Sequence, residues 1–372
     1  MQKYDVAAYI WPSFTGDEPR TRIFWPMGMG EWETILKAKP KFPGHQWPRK
    51  PLWGYVNEAN SDIMEMQINT ALEHGVNVFI YDWYYFDGKP FLENCLNDGF
   101  LKARNNEKMK FYLMWANHDV SYEWDTRLSD LQGDYDLEQI GDGFIYSGAV
   151  NFERFQDIAH RVIDKYFSRP NYYRIDGKPV FMIFSLSILV KGFGGIENTK
   201  KALEWFKKEA GGVHLQFNNK ICKWEDIYDG DRVVPMSELI EYLGFDSTTN
   251  YQTIGLTNNY ERDYADVLKD SFETWKEIEK QTGAPYFPHV SIGWDNNPRF
   301  NGLTKIMRNS TPEAFREGLL KAKEFVDNRP QNPPLITINS WNEWPEGSYL
   351  QPDNLFGYGY LEAVKSVFVD EG

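Results

Sequence analysis

Short apolar runs of strand length alternate along this chain with stretches whose apolar residues recur at the helical period. Asp5-Val6-Ala7-Ala8-Tyr9-Ile10 reads as a first strand, and Trp11-Pro12 then opens an irregular stretch to about residue 60. Ser61 is placed to cap a helix with Ile63, Met66, Ile68 and Leu72 on its apolar side, ended by Gly75. Val76-Asn77-Val78-Phe79-Ile80-Tyr81-Asp82-Trp83 is nearly continuous in apolar residues, as in a strand covered on both faces. The same reading predicts further strands over 111–115, 180–184, 213–217, 245–251, 286–293 and 335–340. Between and after them it predicts helices over 91–104, 152–167, 197–209, 237–242, 260–280, 312–326 and 359–369. Eight strands in strict alternation with eight helices predict a parallel sheet of the α/β class. The count favours a closed (β/α)8 TIM barrel over an open doubly wound sheet. No composition break marks a linker. The expectation is a single domain over 1–372 with long loops inserted at about 11–60 and 119–150.

Composition narrows the partners. Of 372 residues, 42% are hydrophobic and 25% charged, the balance of a soluble globular chain. The aromatic share of 16% exceeds what a core alone asks for and suits a cleft that stacks on sugar rings. A net charge of −14 argues against nucleic acid or an anionic membrane as partner, since both are bound through basic patches. It favours a neutral, hydroxyl-rich ligand. Cys95 and Cys222 are too few for a disulfide scaffold and lack the spacing of a zinc site. No apolar run is long enough to span a membrane, and residues 4–10 already read as strand where a signal segment would lie. A cytoplasmic location is therefore expected.

No Gly-x-Gly-x-x-Gly follows the first strand and no Gly-x-Ser-x-Gly is present, which argues against a dinucleotide cofactor and a serine nucleophile. His118 and Asp295 lack a reinforcing His-x-x-x-His or Glu-x-x-His pair, so no metal or other cofactor is assigned. Asp134-Tyr135-Asp136 and Asp229-Gly230-Asp231 match the Asp-x-Asp of metal-dependent sugar transferases, but such tripeptides arise by chance in an acidic chain.

The candidate chemistry sits in Ile336-Thr337-Ile338-Asn339-Ser340-Trp341-Asn342-Glu343-Trp344-Pro345-Glu346-Gly347. Counting on with the strand period puts Glu343 on the face of Thr337 and Asn339, opposite Ile336 and Ile338. Pro345 cannot donate to a ladder, so the strand should stop near Asn342, with Glu343 at its carboxyl end and Glu346 in the loop. Two glutamates flanked by Trp341 and Trp344 suit glycosidic-bond cleavage. That chemistry asks for one desolvated, protonated acid and one hydrogen-bonded, ionised partner. The plainer alternative is a surface loop with two solvated acids.

In a (β/α)8 barrel the site lies at the carboxyl ends of the strands. Those positions hold Trp11, then Asp82, Trp83 and Tyr84, then Trp115, Asn117 and His118, and later Tyr251, Trp294, Asp295, Trp341 and Asn342. Flat rings, amides and acids at one rim are the mixture a sugar site needs, which makes these the candidate substrate-binding residues and an oligosaccharide or polysaccharide the candidate partner. Each has a structural alternative: Asp82 as a cap or ion-pair member, His118 as a satisfied structural residue, Trp115 and Trp294 as plugs of the barrel top, and Asp295-Asn296-Asn297-Pro298 as a turn. A glycosyltransferase and a non-catalytic sugar-binding barrel remain alternative functions, and no feature sets an oligomeric state.

The assembled residues resemble glycoside hydrolase family 99 and its larger relative, the WbsX-like group labelled as polysaccharide-biosynthesis glycosyltransferases. The WbsX-like likeness runs along nearly the whole chain. Its carriers include Trp11-Pro12, Gly30-Glu31-Trp32, Lys41-Phe42-Pro43-Gly44-His45, Pro51-Leu52-Trp53-Gly54-Tyr55, Tyr81-Asp82-Trp83-Tyr84, Met114-Trp115-Ala116-Asn117-His118 and the segment from Trp341 on to Gly347. The likeness to the hydrolases is narrower: barrel order plus a Glu-Trp-x-Glu loop. It implies retaining hydrolysis of an α-mannoside-like linkage through a 1,2-anhydro sugar. Glu343 would be the base toward the sugar 2-hydroxyl, and Glu346 the acid that protonates the leaving oxygen and later activates water. Pro345 departs from the pattern, since the hydrolases typically carry a histidine there.

Overall fold

The computed structural model describes residues 3–121, 124–125, 145–219, 227–253, 262–304 and 306–370. Eight parallel strands run in chain order: β1 (Asp5–Ile10), β2 (Val78–Phe86), β3 (Lys110–Trp115), β4 (Lys178–Ile183), β5 (His214–Asn219), β6 (Ser247–Asn250), β7 (His289–Ser291) and β8 (Leu335–Asn339). Neighbours in sequence are neighbours in the sheet, and β1 pairs with β8, Ala7 opposite Thr337. The seam between β6 and β7 is narrow: Thr248 donates its N–H to Pro285 and accepts from the N–H of Phe287, both at 2.9 Å. The sheet thus curls into the nearly closed ring of a (β/α)8 TIM barrel.

Around it lie α1 (Trp32–Lys37), α2 (Ser61–Glu73), α3 (Phe152–Val162), α4 (Leu186–Phe193), α5 (Ile196–Glu209), α6 (Met236–Leu243), α7 (Tyr264–Thr282), α8 (Pro312–Asp327) and α9 (Gly359–Phe368). Their ends reflect local chemistry. Asn60, rather than Ser61, caps α2 by accepting from the N–H groups of Asp62 and Ile63. Thr311 caps α8 with Pro312 in the first turn. Among the described residues no helix is long and apolar enough to cross a membrane.

Three segments differ from the expectation. The helix predicted over 91–104 starts late, because Asp87 and Gly88 both take positive φ and fold Lys89–Phe91 back on the end of β2 as an antiparallel strand. A wide turn over Cys95–Gly99 and a 3-10 turn over Phe100–Lys102 come next. There Gly99 passes so close to the Glu58 carbonyl that a Cβ would lie 2.0 Å from it. The helix α4 was absent from the pattern; Ser185 caps it and Gly194, in the left-handed region, ends it. The loop after β1 carries a 3-10 turn (Pro19–Ile23) and α1, and buries Trp11, Trp25, Trp32 and Trp47. The middle of the loop over 119–150, with Asp134-Tyr135-Asp136, lies outside the described residues, as do Cys222 and the expected start of α7 at 260.

The barrel interior is polar yet uncharged. Tyr112 donates to Gln216 at 3.0 Å, Thr249 meets Thr337 at 2.8 Å, and His289 meets Thr337 at 2.9 Å. Burial pushes His289 down to about 3, so it is neutral near pH 7. Charge is held back for the carboxyl end of the strands.

Candidate active site

Loops following β1, β7 and β8 converge there on one guanidinium. Arg299, in the turn Asn297–Arg299 after β7, donates from Nε to Glu31 at 2.8 Å and from Nη1 to Glu346 at 3.0 Å. Its Nη2 lies 3.3 Å from the second oxygen of Glu31 and 4.0 Å from Glu343. The Trp11 indole N–H also donates to Glu31, at 2.5 Å. All four charged residues are at most 8% exposed, so their mutual fields are weakly screened.

Three carboxylates share one cation, and full ionisation would leave two negative charges uncompensated in a buried site. The two glutamates of the β8 loop respond unequally. Desolvation, reinforced by neighbouring Glu343, pushes Glu346 well above the usual carboxylate range despite Arg299. Its Oε2 has no hydrogen-bond partner among the described residues. Desolvation also raises Glu343, opposed by Arg299 and by hydrogen bonds from Tyr251 at 2.7 Å and Asn339 at 3.3 Å. Both acids are buried, so the solvated surface loop is excluded. The strand itself stops at Asn339, earlier than expected. The Glu343 N–H donates to Ser340 Oγ at 2.7 Å, and the 3-10 turn Trp344–Glu346 ends at Gly347 with φ of 62°.

Strand parity decides which rim residues join this cluster. Asp82 and Tyr84 point into the barrel mouth. The Tyr251 hydroxyl lies 2.8 Å from Asp82 and 2.7 Å from Glu343. Trp11 and His118 pack edge-on to Tyr84, with centroids 5.7 and 5.5 Å away. Five of the candidates turn elsewhere. Trp83 donates its indole N–H to Glu93 at 2.7 Å, and Trp115 stacks on Phe155 of α3. Trp341 packs on Phe79 and donates to Gln67 of α2 at 2.7 Å. Trp83 and Trp115 face the helices because β2 and β3 are buried on both sides and neighbouring residues take opposite faces. Trp341, just past the end of β8, turns the same way. Asn117 exchanges two hydrogen bonds with the Ser185 backbone, and Asn342 does the same with Trp11. Their amides are consumed in clamping loops. Trp294 and Asp295 stand apart: with His45, Arg49 and Arg308 they line a cavity of about 520 Å³ whose walls include Gly347 but none of the clustered carboxylates. Against desolvation, His45, Arg49, Asn297 and Trp47 hold Asp295 below the usual carboxylate range, as an anchor for its loop.

The model of the family described as Glycosyltransferase WbsX matches residues 6–364. The chain belongs to the WbsX family. The uncharacterized protein WxcX, from two strains of Xanthomonas campestris pv. campestris, is 26% identical over 373 residues. The match takes in 97% of this chain and 49% of WxcX, so the chain spans about half the length of the curated relatives it matches. A solved structure described as a glycoside hydrolase-like protein superposes with a TM-score of 0.59 at 15% identity, over 99% of this chain and 94% of that one. The GH99 endo-alpha-mannosidase from Bacteroides thetaiotaomicron superposes with a TM-score of 0.54 at 15% identity, over 98% and 96%. At such identities the likeness is one of fold: this WbsX-family barrel shares its architecture with glycoside hydrolases.

Two parts of the candidate site in this WbsX-family chain were not singled out as site residues in advance. No motif announces Arg299, which is one arginine in the loop after β7, and Glu31 appeared only inside a family motif. Behind the β8 loop lies another buried acid, Glu58, which accepts from Gln67 (3.1 Å), Gln351 (2.8 Å) and Asn342 (2.7 Å). Burial pushes Glu58 up to about 7 against those three donors. Asp229-Gly230-Asp231 forms the exposed tip of a small hairpin between β5 and α6.

Proposed function

We propose that this chain is a glycoside hydrolase cleaving an α-mannoside-like linkage within an oligosaccharide or polysaccharide, with retention through a 1,2-anhydro sugar. One observation carries the reading. Two buried glutamates at the carboxyl end of β8 share Arg299, one with an unpartnered oxygen and a strongly raised pKa, the other held by two neutral donors. Glu343 takes the proton of the sugar 2-hydroxyl while that oxygen bonds to the anomeric carbon. Glu346 gives its proton to the departing glycosidic oxygen as the bond breaks. In the second half Glu346 takes a proton from water, the water oxygen opens the three-membered ring, and Glu343 returns its proton to the 2-oxygen. Arg299 limits the charge that builds up as protons move between the two acids. Trp11, Tyr84 and His118 offer ring faces and edges to the sugar, and the fold shared with an endo-alpha-mannosidase supports the substrate class.

The test is a panel of defined oligosaccharides read by mass spectrometry. Glu346→Gln is expected to lose about 10²–10⁴ in turnover on natural linkages. An aryl glycoside whose leaving group needs no proton should restore most of kcat/KM, which reports the first half, in Glu346→Gln and none in Glu343→Gln. The kcat of Glu346→Gln should stay low, because the second half still lacks its base. Natural-linkage turnover by Glu346→Gln at the wild-type rate would end the reading. The family's description favours a second reading, a glycosyltransferase. Calorimetric binding of a nucleotide sugar, with no cleavage of any oligosaccharide, would replace the first by the second.

A further inference from the structure

The Tyr251 hydroxyl has one proton and two carboxyl neighbours. Its oxygen lies 2.8 Å from Asp82 Oδ2 and 2.7 Å from Glu343 Oε2, both hydrogen-bond distances. A phenol donates once. Were both acids ionised, one would present lone pairs to the lone pairs of the phenol oxygen, in a buried site where that repulsion is not screened. One of the two must therefore bring its own proton and donate to the phenol. Ionised Tyr251 is no way out, since desolvation and the adjacent Asp82 push its pKa well above the usual tyrosine value.

Geometry says which acid it is. Glu343 Oε2 receives a second donor from Asn339 at 3.3 Å, and Oε1 lies 4.0 Å from Arg299. Asp82 is 3% exposed, and among the described residues it has no basic partner and its Oδ1 has no hydrogen-bond partner. A neutral carboxyl tolerates an unpaired oxygen at far lower cost than a carboxylate does. The other groups facing Asp82 are Tyr9 of β1 and Tyr84 of β2, neither of which brings positive charge.

We propose that Asp82 is a positioning residue that stays protonated and, through the Tyr251 hydroxyl, holds Glu343 as an ionised base: Asp82 donates to Tyr251, and Tyr251 donates to Glu343. Desolvation and the charge of Glu343 act in the same direction on the Asp82 carboxyl, raising it well above its usual range. The chain of two donors makes Glu343 a weaker base than burial alone would, so that it is ionised when the sugar arrives. The inference rests on the hydrolase reading for the role of Glu343. The proton on Asp82 comes from hydrogen-bond counting alone.

Infrared spectroscopy of the intact chain tests it near neutral pH. The wild-type minus Asp82→Asn difference spectrum should show the carbonyl stretch of a protonated carboxylic acid. The same band should move on labelling the wild-type aspartates with carbon-13, a control that needs no variant. The amide of Asp82→Asn keeps a donor toward Tyr251 where Asp82→Leu has none, so the amide variant should retain the higher kcat/KM of the two. Tyr251→Phe removes the donor and should raise the acid-limb midpoint of the kcat/KM profile by about one pH unit, a shift that a packing role would not produce. Absence of the carboxylic-acid band, or an Asp82→Asn variant that loses as much kcat/KM as Asp82→Leu, overturns the proposal. Wild-type turnover by Glu343→Gln would instead defeat the hydrolase reading, leaving the Asp82 proton to be judged by the infrared band.

Discussion

The β8 loop separates two buried acids' worlds. Behind it, Glu58 is surrounded by the amides of Gln67, Gln351 and Asn342, with no cation in contact among the described residues. In front, Glu343 and Glu346 share Arg299 with Glu31, and one oxygen of Glu346 is left bare. Adjacent residues serve the two sides, Asn342 backward and Glu343 forward. The difference separates a clamp from a reactive group. Neutral donors crowding a carboxyl fix its position and leave neither oxygen open to a substrate. A shared cation with an unpartnered oxygen leaves an acid free to act.

The contrast breaks most severely at Arg299. Arg299→Met strips the front cluster of its cation and should cost about 3–5 kcal/mol in urea unfolding at pH 7. The deficit should shrink toward pH 5, because protonation relieves the exposed repulsion. A pH-independent loss would mean the arginine acts by packing alone.

Glu58→Gln probes the back. The carboxyl titrates at about 7 when folded against a usual 4.5, so the folded state binds more protons between those values. By linkage, the contribution of Glu58 to stability is full below about pH 4.5 and falls as pH rises to about 7. The total change is about 3 kcal/mol. The variant should flatten that slope in melts taken from pH 4.5 to 7, while kcat/KM per folded molecule barely moves. A collapse of kcat/KM would place Glu58 in the chemistry and erase the distinction.

The smallest effect is expected at Trp83→Phe. It gives up one hydrogen bond to Glu93, which keeps those from Arg161 and Tyr166, for about 1 kcal/mol of stability and no change in kcat/KM. Weakened substrate binding in that variant would show that the ring faces the site after all.

Strand and helix alternation was legible because a barrel repeats one pattern at short range. The β8 carboxylates stood out as a close pair between Trp341 and Trp344, although the strand before them ends at Asn339, well ahead of Pro345. Parity was less so. In a strand buried on both faces Asp82 and Trp83 look equally eligible, and only the closed ring sends one inward and the other toward the helices. For Trp115 and Trp341 the same ambiguity held. Arg299 and Glu58 were illegible for another reason: each gains meaning from partners far along the chain, such as Gln351 for Glu58 and Glu31 for Arg299. The hairpin after β2 had a local cue in Asp87-Gly88, a pair suited to positive φ, within the stretch read as the approach to a helix.

Glu31 and Arg299 lie 268 residues apart. On a ribosome adding roughly 5–20 residues per second, the glutamate waits on the order of 10–50 s for its guanidinium to emerge. Until then its carboxylate has to keep its water, and the tryptophan-rich segment around it has no reason to settle. The mouth of the drum therefore waits on the last strands of the barrel, and each nascent molecule gains its working end only once β7, β8 and the loops after them have arrived.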